Sequence, residues 1–484
     1  MAAQHKGTGL VFSTIADGLT SGARNITDTL EETFLEPRIR LGVTGLSRAG
    51  KTVFITSLVA NLTDRGRMPG LAAAAEGRIS AAFLQPQPDD TVPRFDYERH
   101  LAALTAEAPH WPEGTRAVSE LRLSMKVRPT GLLGGVTGPR TVHLDIIDYP
   151  GEWLLDLALL DRPYADWAEA TLSRMEHRPG GADYLARARA ASGRTDWREP
   201  DAQALAAAYV DHLSAAREAG YSDLTPGRFL MPGEMAGSPA LTFAPLPRED
   251  APPRRGLWRE MERRYEAYRR EVVKPFFRAH FARIDRQVVL VDVLGAIHAG
   301  PRALEDLRRT MADILSAFRP GRNAFLARLL RGRRVEKILF AATKADHLHH
   351  SQHARLTAIM EALTREARER ARFAGAETGA QSIAALRATT EETVTHEGAT
   401  LDCVRGTLLE DGVGRGRQAA FYPGELPEDP GRLLRPAQEG REAWLDADYA
   451  IMRFAPAPLT LRPGDGPPHI RLDRAAQFLI GDRL

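Results

Sequence analysis

Near its start, the chain carries the pattern of a strand that leads through a short loop into a helix. Residues 38–44 alternate apolar side chains with polar or small ones, and this period of two is typical of a strand. Residues 55–62 then place apolar side chains at positions i, i+3, i+4 and i+7, which form one face of a helix. The pattern therefore predicts a strand, a glycine-rich loop at 45–52 and a helix, in this order.

Further apolar runs predict a sheet of several strands. Strands are expected at 119–127, 141–147, 287–293, 335–342 and 382–388. The first two flank a long glycine-rich connection and indicate an antiparallel hairpin, whereas the nearly continuous run of the third is typical of a strand buried in a parallel sheet. Helical patterns occupy about 301–330, 353–374 and 471–480. Strands that alternate with helices predict an α/β fold.

Composition narrows the classes of protein. With 65 basic and 63 acidic residues the net charge is +2, so the overall charge gives no reason to expect nucleic-acid binding. The one cysteine, Cys403, excludes a disulfide framework and a multi-cysteine metal site, and it fits a reducing compartment. No signal-peptide pattern is visible, and no apolar run approaches the ~20 residues of a spanning helix. We expect a cytoplasmic protein without a transmembrane segment, with peripheral contact at the inner membrane left open.

The segment 45–52 matches G-x-x-x-x-G-K-[ST], the Walker A phosphate-binding motif. Its glycines let backbone N–H groups approach phosphate oxygens, Lys51 reaches the β- and γ-phosphates, and Thr52 offers its hydroxyl to Mg²⁺. The predicted strand and helix on either side supply the context that this motif requires. The residues expected to contact the nucleotide here are Ser47, Arg48, Ala49, Gly50, Lys51, Thr52 and Val53.

Two weaker motifs stand at the ends of predicted strands. Asp148-Tyr-Pro-Gly151 places an aspartate where it can hold the Mg²⁺ shell and a glycine amide where it can sense a γ-phosphate. Thr343-Lys344-Ala-Asp346 matches the [N/T]-K-x-D of GTP-binding proteins, in which the aspartate accepts two guanine N–H groups and the lysine stem lies against the base. The threonine replaces a more frequent asparagine, so the motif supports nucleotide binding more strongly than guanine selectivity.

In chain order, these motifs and strands resemble the Ras-like GTPase plan. The segments GLSRAGKT, DYPGEW and TKADHLHHSQH, with the closing RLDRAAQFLIGDRL, more closely resemble the YcjX-like family of bacterial P-loop NTPases over about residues 36–484. The resemblance implies a Ras-like P-loop sheet flanked by helices, with a large helical insertion. It also implies Mg²⁺-dependent hydrolysis of GTP to GDP and phosphate, a conformational switch, and a membrane-associated or stress-response partner in a bacterial envelope stress response.

The expected organisation combines this plan with the helix-forming composition between the hairpin and the next strand. We expect a helical lead-in at 1–37, a first part of the GTPase domain at 38–151, a helical insertion domain at 152–285, a second part of the GTPase domain at 286–390, and C-terminal strands with a closing helix at 391–484. The lead-in is interpreted as a helix that covers the domain edge, with a membrane anchor as the alternative.

Further site residues follow from the resemblance alone. Thr115 stands just before a strand, where Ras-like proteins place a Mg²⁺-sensing threonine, although an ordinary loop threonine is an equal alternative. Ala388 lies where a short loop touches the guanine oxygen. Glu152 replaces the glutamine that often orients the attacking water, so it either positions water or caps the next helix. Arg48 either supplies charge to the transferring phosphoryl group or faces solvent. The candidate catalytic residues are Lys51, Thr115, Glu152 and Arg48, and the candidate metal ligands are Thr52, Thr115 and Asp148.

Two other classes of protein stay open. One is a nucleotide-dependent scaffold with negligible turnover, and the other is a P-loop ATPase or kinase that carries TKAD by chance. The histidines at 347–353 are interpreted as a polar helix start rather than a metal site, and the basic run at 331–334 as a solvated turn, with a membrane-surface or partner patch as its alternative.

Overall fold

A computed structural model of the chain describes residues 36–484, except 47, 115–116, 131–137, 317–334, 374, 410–415, 446–448 and 460. The predicted lead-in, apart from its last two residues, and the basic run at 331–334 lie outside these described residues. So does the second half of the helix expected at about 301–330.

Seven strands form the central sheet of this α/β protein. They are β1 (Arg38–Gly45), β2 (Ile79–Gln85), β3 (Ser119–Val127), β4 (Arg140–Asp148), β5 (Arg286–Val291), β6 (Lys337–Ala342) and β7 (Glu377–Ser382). Their order across the sheet is β2-β3-β4-β1-β5-β6-β7. Strands β4, β1, β5, β6 and β7 run parallel, while β2, β3 and β4 are antiparallel neighbours. The predicted hairpin is therefore confirmed, and the carboxyl ends of five parallel strands meet along one edge, where α/β proteins bind ligands.

Helices connect these strands and cover both faces of the sheet. They are α1 (Lys51–Thr63), α2 (Ala72–Ala75), α3 (Tyr97–Thr105), α4 (Glu152–Leu155), α5 (Tyr164–Met175), α6 (Gly181–Ala191), α7 (Glu199–Glu218), α8 (Gly227–Leu230), α9 (Leu257–Tyr268), α10 (Lys274–Ala279), α11 (Val293–His298), α12 (Pro301–Ser316), α13 (His353–Leu363), α14 (Arg365–Phe373), α15 (Gly431–Gln438) and α16 (Leu472–Ile480). A second, antiparallel sheet in the order β10-β9-β8 contains β8 (Thr390–His396), β9 (Ala399–Thr407) and β10 (Gln418–Phe421). None of the described helices is both long and apolar enough to cross a membrane.

The apolar pattern of β5 shows why the sheet is covered on both sides. Val288 and Leu290 belong to the core that contains the apolar faces of α1 and α16. Val289 and Val291, which point the other way, belong to the core that contains the helices between β4 and β5 and those after β6. Since successive side chains of a strand face opposite directions, a strand buried on both faces reads as a continuous apolar run.

The helices α4 to α10 lie between β4 and β5 in the chain and share an aromatic core. Trp167 is fully buried, stacks on Tyr265 at 5.0 Å between ring centroids and meets Phe243 edge-on at 5.6 Å. This aromatic core is continuous with the core under the sheet. The polypeptide that enters it directly follows Asp148 at the carboxyl end of β4.

Two expectations about strands were wrong or incomplete. The strand expected at 382–388 lies instead at 377–382, where it pairs with β6. The apolar side chains at 383–386 belong to the segment that follows β7. Two backbone hydrogen bonds between Ala384 and Ile470 hold this segment in place. Strand β2 was not predicted, because it pairs only with β3 at the edge of the sheet and is mostly half-exposed.

Candidate functional site

The loop after β1 has the backbone that its glycines predict. Gly50 adopts a φ of 79° immediately before α1, and Arg48 a φ of 64°, so the loop turns twice through the left-handed region. A Cβ on Gly45 would lie 2.9 Å from the Leu290 Cβ, which shows that β1 can approach β5 this closely only with a glycine at its end. Ala49 is buried, whereas Arg48 and Gly50 are exposed.

The first two residues of α1 turn back toward this loop. Lys51 donates from Nζ to the Gly45 carbonyl at 3.3 Å, so its ammonium group lies over the loop rather than in open solvent. Thr52 is 6% exposed and donates to the Glu113 carbonyl at 3.4 Å, a long hydrogen bond. This contact brings the segment before Thr115 next to the start of α1. Thr115 and Ser47 themselves lie outside the described residues, whereas Val53 is half-buried in the first turn of α1.

The Asp148–Gly151 segment meets the loop at its first glycine. A Cβ on Gly151 would come within 2.5 Å of the Gly45 carbonyl carbon and 3.1 Å of the Leu46 nitrogen. The first distance is shorter than real Cβ contacts and the second is tighter than most of them, so the two backbones touch only because residue 151 is glycine. The structure therefore brings two sequence motifs together that are about a hundred residues apart.

Asp148 and Thr52 are positioned so that their oxygen atoms could serve as ligands to Mg²⁺. Asp148 is 1% exposed at the end of β4 and pairs in register with Val43 of β1, two residues before the loop. A carboxylate and a hydroxyl beside a phosphate-binding loop form a donor set that fits Mg²⁺, which prefers oxygen and takes few protein ligands. Thr52 and Asp148 are the described residues that would hold the ion.

The Thr343–Asp346 segment lies farther along the same edge, after β6. Asp346 is 4% exposed, and its carboxylate accepts a hydrogen bond from the Ala388 N–H at 2.8 Å. The Thr389 hydroxyl donates to the Asp346 carbonyl. The structure therefore places the two groups expected to contact a guanine base, the Asp346 carboxylate and the Ala388 amide, in direct contact.

One residue beside this segment escaped the sequence analysis. Asp292 follows β5, caps α11 by accepting from the Gly295 N–H at 2.9 Å, and forms an ion pair with Lys344. Lys344 has a φ of 62° and a side chain that is 31% exposed, and the ion pair holds its ammonium group beside the residue that follows β5. Thr343 reaches the same strand through a hydrogen bond of 3.3 Å from its hydroxyl to the Val291 carbonyl. A polar residue directly after the apolar run of β5 was the available signal.

The residue after Gly151 enters the helical region. Glu152 is 3% exposed in the first turn of α4, and a Cβ on Gly227 of α8 would lie 2.9 Å from the Glu152 Cβ. Asp156 accepts from the Gly227 N–H at 2.8 Å and from the Tyr268 hydroxyl at 2.5 Å. Burial raises the pKa of Asp156 to about 6, against the opposing effect of these two hydrogen bonds. The segment after Gly151 is thus attached to both α8 and α9.

Two of the histidines after Asp346 serve the fold. His353 is buried and its Nε2 lies 2.8 Å from the Ala345 carbonyl, so it holds the TKAD turn against the start of α13. His347 packs edge-on against Phe454, with 5.2 Å between ring centroids, and burial lowers its pKa. Of the two histidines between them, His349 is half-buried and His350 is exposed.

These features define a class of protein. A glycine-rich loop between β1 and α1, an aspartate at the end of the neighbouring parallel strand and a TKAD segment two strands further on describe a Ras-like P-loop α/β fold. The profile of the YcjX-like family, DUF463, matches residues 39–484, and this chain belongs to that family.

Two relatives cover nearly all of the chain. It is 36% identical over 481 residues to the "Ras-like GTPase YcjX" of Escherichia coli K12, and this match covers 95% of this chain and 99% of the relative. It is 35% identical over 472 residues to the protein of the same name from Shewanella oneidensis, which covers 92% of this chain and 94% of the relative. The family resemblance inferred from the sequence is therefore confirmed.

Proposed function

We propose that this protein binds GTP together with Mg²⁺, hydrolyses it to GDP and phosphate, and changes conformation between the two states. The main support is the alignment of three segments along one sheet edge: the loop at 45–52, Asp148–Gly151 and Thr343–Asp346. Both relatives carry the name Ras-like GTPase. By family resemblance, we extend the proposal to a bacterial envelope stress response in the cytoplasm or at the inner membrane surface.

The chain's own residues suffice to bind and orient the nucleotide. Loop N–H groups and the positive end of α1 receive the phosphates, and Lys51, which now donates to the Gly45 carbonyl, turns its ammonium group to the β- and γ-phosphates. Thr52 and Asp148 would hold Mg²⁺, which would supply positive charge against the charge that develops on the phosphate oxygens. The Gly151 amide then faces the γ-phosphate side of the loop.

Base recognition depends on Asp346. Guanine offers two N–H groups to a carboxylate, which adenine lacks, and the Ala388 N–H that now donates to Asp346 becomes available to the guanine oxygen. Asp346→Asn keeps an oxygen that can accept from Ala388 but replaces the second acceptor by a donor. A lost charge-assisted pair of this kind costs roughly 1.5–3 kcal/mol, or about tenfold to a hundredfold in affinity.

The deciding experiment measures Mg·GTP, Mg·ATP and Mg·XTP binding to the native and Asp346→Asn proteins, with turnover recorded in parallel. We expect the native protein to prefer GTP and the variant to shift toward XTP, whereas Lys51→Ala should lose affinity for all three. Equal GTP and ATP affinities in the native protein would favour the ATPase alternative. GTP binding without turnover would favour the scaffold.

A further inference from the structure

Three side chains outside the proposed nucleotide site converge just after the TKAD segment. His349, His350 and Glu391 each offer one ligand atom, and these atoms all lie within 4.8 Å of one another. His350 Nδ1 lies 2.7 Å from Glu391 Oε2, and His349 Nε2 lies 3.7 Å from the same oxygen. We propose that these three residues bind a divalent transition-metal ion, and that Zn²⁺ is the ion they fit best.

The ligand types and spacing select the class of metal. Two imidazole nitrogens and one carboxylate suit Zn²⁺ with a water molecule in the fourth position, whereas Mg²⁺ prefers oxygen ligands throughout. Ligand atoms about 2.1 Å from a tetrahedral ion lie about 3.4 Å apart. A pair at the 4.8 Å limit must therefore close by about 1.4 Å, and the 2.7 Å pair of His350 Nδ1 and Glu391 Oε2 must open by about 0.7 Å. The His350 side chain is 68% exposed, so it has room to turn into this arrangement.

A second carboxylate orients the inner histidine. Asp402 on β9 lies with its Oδ2 3.2 Å from His349 Nδ1, and it also accepts from the Ser351 hydroxyl at 3.3 Å. The Ser351 hydroxyl lies closer to the same nitrogen, at 2.9 Å, and the Ser351 N–H approaches it at 3.5 Å. Metal binding requires the tautomer in which Nδ1 carries the proton, shared between the Ser351 hydroxyl oxygen and Asp402, because this tautomer leaves the lone pair on Nε2, the nitrogen that faces Glu391. Metal-binding histidines are commonly held by a carboxylate in this way.

A proton shared between His350 and Glu391 accounts for their 2.7 Å contact without a metal, and that alternative predicts no Zn²⁺ binding. Arg387 also lies close, with its Nη2 3.5 Å from Glu391 Oε1. The guanidinium leaves Oε2 available but opposes a bound cation, so the site should bind Zn²⁺ more weakly than a closed structural site does.

The position of the cluster gives a metal ion a role that rests on the proposed function. Glu391 comes three residues after Ala388, and the two histidines follow Asp346 by three and four residues. A metal ion would therefore join the same two segments that the Asp346–Ala388 hydrogen bond joins. Fixing them in place beforehand should strengthen guanine binding, because less ordering remains to be done when the nucleotide arrives.

The test is calorimetric titration of the untagged full chain with ZnCl₂, with Co²⁺ as a spectroscopic probe of tetrahedral coordination. His350→Ala and Glu391→Gln remove ligands, and Asp402→Asn removes only the orienting carboxylate. His396→Ala, an exposed histidine on β8 outside the cluster, is the matched control. Apo thermal unfolding of each variant shows whether it is folded.

We expect one Zn²⁺ per chain, lost in His350→Ala and Glu391→Gln, weakened about tenfold to a hundredfold in Asp402→Asn, and unchanged in His396→Ala. Zn²⁺ should also raise the GTP affinity of the native protein and not that of His350→Ala. No binding by the folded native chain, or equal binding by all the variants, overturns the metal site. Zn²⁺ binding by a protein that binds no GTP would overturn the proposed function and leave the metal site standing.

Discussion

The contact between Gly151 and Gly45 makes Gly151→Ala a sharp test of how the site is assembled. Gly151 has a φ of −63° and a ψ of −28°, which alanine adopts readily, so the substitution introduces no backbone strain of its own. Any effect must come from the added methyl group. That methyl group would overlap the Gly45 carbonyl oxygen and lie 2.5 Å from the carbonyl carbon.

The size of the effect follows from this distance. Carbon atoms in contact are about 3.5–4.0 Å apart, so the carbon alone requires the two backbones to separate by roughly 1 Å, and the overlapping carbonyl oxygen requires more. Neither side yields easily, because Gly45 is held against Leu290 and the segment after Gly151 is held by Asp156. Overpacking of this kind costs about 1–3 kcal/mol. We expect the free energy of unfolding to fall by that amount.

The assay combines urea unfolding with the affinities for Mg·GTP and Mg·GDP. Gly138→Ala is the matched control, since a Cβ there meets nothing within 4 Å, and its stability should change by no more than about 0.5 kcal/mol. GTP affinity of Gly151→Ala should fall more than GDP affinity, because in the proposed complex the displaced amide faces the γ-phosphate. If Gly151→Ala matched Gly138→Ala in both measurements, the proposed junction between the two motifs would be wrong.

Three further predictions concern the loop at 45–52 and the chain around and after Gly151. An unfolded aspartate has a pKa near 3.9, and burial raises the pKa of Asp156 to about 6, so the native state holds a proton between about pH 4 and 6 that the unfolded chain has released. The free energy of unfolding should therefore fall by up to about 1.4 kcal/mol per pH unit as the pH rises through this window, about 3 kcal/mol in all. Asp156→Asn should abolish this slope in urea unfolding, and an unchanged slope would show that Asp156 does not have the raised pKa. In single-turnover GTP hydrolysis we expect a slow native rate, and little further loss in Glu152→Ala if Glu152 caps α4. A fast native enzyme that Glu152→Ala inactivates would instead make Glu152 the water-positioning residue. Loss of rate in Arg48→Ala would show that the loop arginine acts in catalysis. Hydrogen exchange across about 148–165 should differ between GDP and a non-hydrolysable GTP analogue, and identical protection would argue for a static scaffold.

The sequence predicts most of the central sheet because two covered faces impose a clear pattern. The strands β1, β3, β4, β5 and β6 are buried on one or both faces, and their apolar side chains recur at the spacing that burial demands. Strand β7 carries Thr, Gly, Ala and Gln instead, and only its pairing with Lys337–Ala342 defines it. The position of β7 is therefore set by its pairing with the neighbouring strand, which the local sequence propensity does not reveal.

The residues of the candidate site also differ in how far the sequence predicts them. The loop at 45–52 is a local motif, so its residues can be read from eight consecutive positions. The hydrogen bond between Ala388 and Asp346 spans 42 residues, and Ala388 was reached only through a family resemblance. Asp156 was missed altogether, because its partners lie 71 and 112 residues away in the insertion. Its one local signal is a charged residue within the otherwise apolar run Trp153–Leu160.

Two glycine contacts connect the phosphate loop to the helical insertion without relying on flexible side chains. Gly151 lies against the Gly45 carbonyl, and Gly227 lies against the Glu152 backbone, one residue further along the chain. A long side chain absorbs a displacement of its neighbour by changing rotamer, whereas two backbones in contact cannot. A shift of the Asp148–Gly151 segment would therefore be passed directly to α8, and through Asp156 to α9. On the proposed function, we expect the helices α4 to α10 to respond to the γ-phosphate, and Gly227→Ala to alter the nucleotide dependence of their hydrogen exchange even if nucleotide affinity is retained.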